Sequence, residues 1–406
     1  LRLVPWLIEQ ENTHRFVVYE SDKEWSGWSD RAVRHADHVL VVADGEGDGS
    51  IGEAEKQLAS RFEGARAPRQ SLILLQPAGR TTFPGSARWL RARRVDAHYH
   101  IRKGSPSDVA RLARILTGHA ICLVFGGGGS RGYAHLGVLR AFEELGIPVD
   151  AVGGTSIGAL IGALTAMGLR TKDIVPLCRP VLAPAFLEPT LPLVSLMSGQ
   201  KAVDGLAKVV GTLEIEDLGM PFFCVSTNLT RGGEVIHRRG SAAFAVRAST
   251  SVPGVFPPVP WNGDLLVDGG LSNNVPVDTM ASLFGGAIVA VDVMPEVDLL
   301  ANGELPTHLS GWRFAWRQWN PFIDRIGMPH IVSILMRSAT TASHGLSKAE
   351  ESAKQSALYL RPAVNKWNVL DFRAAAPIAD QGYKGTFSDI QAWWRRDGQA
   401  LMGRRS

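Results

Sequence analysis

Two short glycine-rich stretches carry most of the chemical information in this sequence. In "ICLVFGGGGSRGYAHLGVL", residues 121–139, an apolar run enters a loop and the loop enters a helical pattern. Gly127, Gly129 and Gly132 have the G-x-G-x-x-G spacing of a loop whose amides cradle an anion at a helix N-terminus. A dinucleotide there would need an acidic residue closing the second strand, about 20 residues on. Asp150 lies near that distance but precedes the strand "AVGG". That strand runs instead into "GGTSIGALIGALTAMG", which sets Gly154-Thr155-Ser156-Ile157-Gly158 at a strand-to-helix junction. This is the G-x-S-x-G nucleophile elbow: glycines on both sides permit a tight turn that presents the serine oxygen above a helix N-terminus. Gly154 and Gly158 are the elbow glycines. With a nucleophilic serine beside it, the glycine loop reads as an oxyanion hole, because the donors that hold a pyrophosphate also hold a tetrahedral oxyanion. The competing reading of the elbow is a small-residue packing turn.

A serine nucleophile needs a proton acceptor. In "GDLLVDGGLSNNVPVDTM", Asp268 ends an apolar strand before Gly269 and Gly270, a position that can face a cleft. An Asp that merely forms a turn fits the pattern equally well. Asn273 and Asn274 are read as holding the turn. His308, His330 and His344 come after Asp268 in the Ser–Asp–His order of α/β-hydrolases, but none sits at a clear strand end; His135, on the helix after the glycine loop, is read as packing.

The elements around these residues alternate. In the first 115 or so residues "RFVVYE", "DHVLVVAD", "SLILLQPAG" and "AHYHIR" read as strands. "SDRAVRHA", capped at Ser29, "GSIGEAEKQLASRF" and "PGSARWLRARR" read as helices. This is a small parallel α/β (Rossmann-like) module over residues 1–117, without an elbow, P-loop or metal cluster. Its acidic loop at 43–49 reads as a solvated turn. "SPSDVARLARILTG" is a capped helix ending at Gly118. The main α/β unit spans 118–295, and a mainly helical extension packed on it spans 296–406. Residues 177–197, "LCRPVLAPAFLEPTLPLVSLM", are apolar, rich in proline and poor in charge. They read as an irregular segment near the cleft, with Phe186, Leu191, Leu193 and Leu196 as candidate lid or acyl-channel residues. An ordinary core connection is the alternative. Trp312, Trp316 and Trp319 lie at i, i+4 and i+7 with Arg313 and Arg317 beside them, the pairing of an interfacial helix or, more simply, a core stripe.

The composition sets limits. With 406 residues, 45% hydrophobic and 20% charged, the chain can bury a large core. A net charge of +4 does not suggest nucleic acid, although a basic face favours anionic lipid. Cys122, Cys178 and Cys224 are scattered in apolar runs without zinc or disulfide spacing, which points to a reducing compartment. No apolar run is long enough for a spanning helix.

The G-G-G-x-R-G loop (Gly127, Gly128, Gly129, Arg131, Gly132), the G-x-S-x-G elbow and the Asp268-Gly269-Gly270 triplet, in that order, resemble the patatin-like phospholipases. "RLARILTG", "IEDLGMPFFCVSTNLT", "VRASTSVPGVFPPV", "DGGLSNNVPVD", "SGWRFAWRQWNPF" and "RHADHVLVVADG" extend the resemblance, over nearly the whole chain, to the branch of neuropathy target esterase and bacterial lysophospholipases. The resemblance implies a three-layer α/β/α catalytic domain with a mostly parallel sheet. It implies a Ser–Asp dyad with Ser156 as nucleophile and Asp268 as base. It implies an oxyanion hole at Gly127, Gly128, Gly129, Ser130 and Arg131, helped by the Ile157 N–H. Arg131 reads as a bridge closing the loop, or as a contact to the lipid phosphate. The implied reaction is release of fatty acid from lysophospholipids and some phospholipids, with no cofactor and no metal. A peripheral membrane surface on the cytoplasmic side is the expected partner. Larger members carry upstream cyclic-nucleotide-binding domains and often a membrane anchor, neither of which is present in these residues. The alternative is a non-catalytic lipid- or nucleotide-binding module that keeps the fold.

Overall fold

The computed structural model describes residues 3–62, 68–185, 188–294 and 345–402, and Ile334 singly. They form two compact units. The first comprises Leu1–Arg80 and Gly85–Ser105. It holds α1 (Leu3–Thr13), α2 (Gly27–His35), β1 (His38–Asp44), α3 (Glu53–Arg61), β2 (Arg69–Gln76), α4 (Ala87–Arg91) and β3 (Ala97–Arg102). The strands form a parallel sheet in the order β1-β2-β3. Leu72 and Leu74 of the central strand are buried against Trp89 and Leu90. In the loop after β1, Asp44 Oδ1 accepts from Glu46 N, Asp48 Oδ1 from Ser50 N and Glu55 Oε2 from Gly52 N. Arg93 donates to the Gly49 and Ser50 carbonyls, both at 2.7 Å. Carboxylates of β1, the loop and α3 thus engage three of the loop's amides.

Two expectations for this unit are corrected. Residues 15–20 form no strand: Phe16 is 53% and Val18 92% exposed, so the apolar run has no layer to bury it. The cap of α2 is Ser26, whose Oγ accepts from Trp28 N and Ser29 N, while Ser29 Oγ accepts from Ser26 N. Ser29 is the inner partner of a capping box, and the helix begins earlier than the apolar pattern suggests.

The second unit comprises Thr81–Pro84 and Pro106–Ser406. Its helices are α5 (Pro106–Leu116), α6 (Ala134–Glu144), α7 (Ile157–Ala166), α8 (Thr171–Ala185), α9 (Gln200–Val209), α10 (Ala242–Ser249), α11 (Val277–Leu283), α12 (Gly345–Gln355) and α13 (Ala375–Leu401). Its strands are β4 (Ile121–Phe125), β5 (Ala151–Thr155), β6 (Phe222–Asn228), β7 (Glu234–His237), β8 (Val259–Trp261), β9 (Asp264–Asp268), β10 (Ala287–Val291) and β11 (Leu358–Leu360). The sheet runs β11-β10-β4-β5-β6-β9-β8, with β7 also paired to β6. It is parallel from β11 to β6 and antiparallel where β6 meets β9 and β7 and where β9 meets β8. The central strands β4 and β5 are buried at every residue, as parallel strands covered on both faces must be. Asp150, set aside as a ribose ligand, is structural: it takes a bidentate pair from Arg114 at 2.8 and 2.7 Å and accepts from Ile121 N at 2.9 Å.

Residues 177–185 are not irregular; they continue α8. Pro176, Pro180 and Pro184 are four apart, which confines their missing donors to one stripe of the helix. The irregular part begins at 188 and runs to α9. Phe186, the Trp312–Trp316–Trp319 stripe, Arg313, Arg317, His308, His330 and His344 lie outside the described residues. Among the described residues, no helix is long and apolar enough to cross a membrane.

Candidate active site

Register brings the serine and the acid together. β4 and β5 are parallel neighbours, so the glycine loop and the elbow leave the same sheet edge. Thr155 is level with Val225 of β6, and the next β6 residue, Ser226, is level with Asp268. Because β9 is antiparallel, its last residue arrives where β5 ends. Ser156 has φ 56° and ψ −124°, a strained geometry for a residue with a Cβ. Nothing larger than glycine fits on either side: a Cβ at Gly154 would lie 2.7 Å from the Gly158 backbone, and one at Gly158 would overlap the Phe125 carbonyl oxygen.

The serine hydroxyl donates to Asp268 Oδ2 at 2.6 Å. Ser156 is 8% exposed and Asp268 fully buried. The other carboxylate oxygen accepts from Gly270 N at 2.8 Å. Burial pushes Asp268 up from the usual carboxylate value to about 6, against the opposing pull of the Ser156 and Gly270 hydrogen bonds. A carboxylate raised in this way is a better proton acceptor than an exposed one. Gly269 lets the chain turn beneath it, since a Cβ there would overlap the Val225 carbonyl oxygen.

The glycine loop divides into donors already engaged and donors left open. Gly126 N donates to Val291 O and Ser130 N to Val369 O, both at 2.9 Å. Gly127 N donates to Asn274 Oδ1 at 3.2 Å. Among the described residues, the Gly128 and Gly129 N–H groups make no hydrogen bond, which leaves them able to meet an oxyanion. Ser130 and Arg131 face the chain at 367–369: Ser130 Oγ donates to Asn368 O at 2.7 Å and Arg131 Nε to Trp367 O at 2.8 Å. They hold the loop shut from outside.

Several contributors carry no sequence motif. Ser249 Oγ accepts from Ser156 N at 2.9 Å and donates to Val225 O at 2.6 Å, which fixes the elbow on β6. Thr227 Oγ1 donates to the Asp268 carbonyl and Thr155 Oγ1 to the Asn273 carbonyl, both at 2.9 Å. Asn273 Nδ2 donates to Glu234 and Asp278, holding the turn as expected from sequence, whereas Asn274 reaches across to the glycine loop. The one signal that could have pointed to Ser249 is the small polar run "RASTS" closing an apolar helix.

Of the described histidines, His135 is fully buried and donates from Nε2 to Gly126 O at 2.8 Å. His237 meets Ser226 Oγ at 2.7 Å. Burial lowers both to about 4, so each is neutral at ordinary pH. Neither contacts Ser156 or Asp268 in these bonds. Among the described residues no cluster could hold a metal ion.

Residues 123–281 match the model of the patatin-like phospholipases, and residues 1–105 match that of the neuropathy target esterase family P-loop-like domain. Patatin-like phospholipase domain-containing protein 6 of Mus musculus is 35% identical over 100% of this chain and 32% of its own length. Neuropathy target esterase sws of Drosophila melanogaster is 35% identical over 94% of this chain and 29% of its own, and Lysophospholipase NTE1 of Mycosarcoma maydis 34% over 97% and 24%. The chain belongs to the patatin-like phospholipases, in the branch that carries the neuropathy target esterase P-loop-like domain. It spans about a third or less of the length of these curated relatives. Among solved structures, VipD from Legionella pneumophila is 13% identical over 71% of this chain and 80% of its own, at a TM-score of 0.31, too loose a superposition to add to the assignment.

Proposed function

We propose that this chain is a serine hydrolase of lipid carboxylic esters that releases fatty acid from lysophospholipids and phospholipids. The observation that carries the reading is the 2.6 Å hydrogen bond from a serine on a strained elbow to a buried carboxylate, with neither His135 nor His237 in the exchange. Family membership supports it, as do the names of the relatives, among them a lysophospholipase. Asp268 takes the Ser156 proton as Oγ attacks the ester carbonyl. The Gly128 and Gly129 amides meet the oxyanion. As the tetrahedral intermediate collapses, Asp268 returns the proton to the departing glycerophospho-alcohol. It then draws a proton from water, which cleaves the acyl-serine and frees the fatty acid. Asn274 positions the loop through Gly127, and Ser130 and Arg131 brace it. Residues 118–295 carry the reaction. The working surface is the cytoplasmic face of a membrane.

The test is a fluorophosphonate probe with a lysophospholipid panel. The intact chain is expected to label and to release fatty acid. Ser156→Ala should abolish both, and Asp268→Asn should lower turnover by about a thousandfold. An intact chain that neither labels nor hydrolyses while still binding lysophospholipid would instead identify a binding module.

A further inference from the structure

Residues 188–198 fold back on themselves beside this site. Ser198 N donates to Glu188 O and Thr190 N to Leu196 O, both at 3.0 Å, and Pro189 bridges Met197 in antiparallel register. At the tip, Leu193 N closes a tight turn onto Leu191 O at 2.8 Å. There Leu191, Leu193 and Val194 are 73%, 83% and 69% exposed. Single exposed aliphatic residues are ordinary; three within four positions on one turn are not. No charged residue occurs from 189 to 200. The preceding carboxylate is turned inward, with Glu188 Oε2 accepting from Ser198 Oγ at 2.9 Å and Lys201 N at 2.8 Å.

The base of this lobe is tied to the glycine loop. Leu196 N donates to Gly254 O and Met197 N to Val255 O, at 2.8 and 2.9 Å. Val255 and Phe256 pack with Met197 and Val369. Val369 O in turn holds Ser130 N. An apolar tip is therefore presented on a hydrogen-bonded stem whose foot rests against the chain that braces the oxyanion loop.

We propose that the lobe at 191–194 inserts into the hydrocarbon–headgroup boundary of a phospholipid bilayer and seats the serine site on the membrane. The uncharged tip suits that boundary, where burying each aliphatic side chain is favourable and a carboxylate would be repelled. The choice of a bilayer as partner rests on the lipid-ester reading above. The coupling to Val369 means that the same seating holds the oxyanion loop near the surface from which substrate comes.

The experiment uses the full chain carrying Ser156→Ala, so that lipid is not consumed, and phosphatidylcholine vesicles. Co-sedimentation is measured with and without the triple replacement Leu191→Ser, Leu193→Ser and Val194→Thr. The expected loss of partitioning is about tenfold for each leucine. Turnover of a water-soluble short-chain ester by the same triple variant on the Ser156 background should stay near that of the intact chain, because these side chains stand in solvent. In a second measurement, Leu193→Cys carries an environment-sensitive dye; Cys122, Cys178 and Cys224 are buried and leave the new thiol as the reactive one. Its emission should shift to the blue on adding vesicles. Undiminished vesicle binding by the triple variant overturns the proposal, as does an unshifted dye. So does a change from dimer to monomer in light scattering without any change in vesicle binding, since a second copy would then cover the tip. Failure of the hydrolase reading would appear separately, as absent fluorophosphonate labelling with vesicle binding intact.

Discussion

Asp268 is where electrostatics and catalysis pull in opposite directions. Its carboxyl is held at about 6 by burial, and only the ionised form accepts the serine proton. Turnover should therefore fall on acidification with a midpoint near 6, read from kcat/KM against pH on a soluble ester. The effect on stability has the opposite sign. A carboxyl whose folded value is raised favours folding while protonated, and that contribution is lost as pH rises through about 6. Asp268→Asn, though about a thousandfold slower, should thus be more stable than the parent at pH 8, by about 1–3 kcal/mol, with the difference closing towards pH 4; urea unfolding at both pH values checks it. Asn274 yields a second residue-scale prediction, through its bond to Gly127 N. Asn274→Ala should lower kcat by about 10- to 100-fold with KM little changed. Asn274→Asp should be worse, because it sets a negative charge beside the forming oxyanion. Sequence reasoning singled out Ser156 and Asp268, which the fold brings into hydrogen-bond contact, because a strained turn and a strand-end acid leave glycine signatures around them. Ser249, Thr227 and the reach of Asn274 left none, since a side-chain bond to a backbone group across the sheet demands no spacing along the chain.

At the scale of elements, α6 matters because it continues from the glycine loop and its His135 holds the Gly126 carbonyl. Its position depends on α13. A Cβ at Gly137 would overlap the Ala379 carbonyl oxygen and the Tyr383 nitrogen, and one at Gly382 the Ala134 carbonyl oxygen. The two helices approach backbone to backbone there, with Phe142 stacked on the buried Trp393 at 6.4 Å nearby. Gly382→Ala should destabilise the second unit by about 3 kcal/mol, measured by urea denaturation, although Gly382 is nowhere near Ser156 in sequence. Loss of activity well below the unfolding midpoint would show that the loop moves with the helix. Helix and strand periodicity located α3, α5, β1 to β3 and the central strands correctly. It misjudged residues 15–20 and 177–185, because alternation without a neighbouring strand does not make a sheet, and prolines four apart do not abolish a helix.

At the scale of the whole molecule, the two units have separate apolar clusters, Leu72–Leu74–Trp89–Leu90 in the first and the large cluster around β4, β5 and α7 in the second. Each has its own source of cooperativity. Calorimetry before and after fluorophosphonate modification of Ser156 should raise one transition, that of the second unit, and leave the first unit's transition in place. A single transition that shifts as a block would mean that the units unfold together.

The sequence by itself determined the α/β class and singled out the glycine loop, the elbow serine Ser156 and the strand-end Asp268, the pair proposed above as nucleophile and base. All of these rest on local chemistry: glycine where a Cβ would clash, serine at the turn, a carboxylate at a strand end. Only the tertiary structure decided which amides of the loop stay open, and that Gly127 is engaged by Asn274. It also decided that β9 runs antiparallel so that Asp268 lands level with the end of β5. Those outcomes depend on strand order and register, which bring residues 112 positions apart to 2.6 Å. The free energy that selects them comes from burying whole faces of the sheet rather than from any residue's neighbours along the chain.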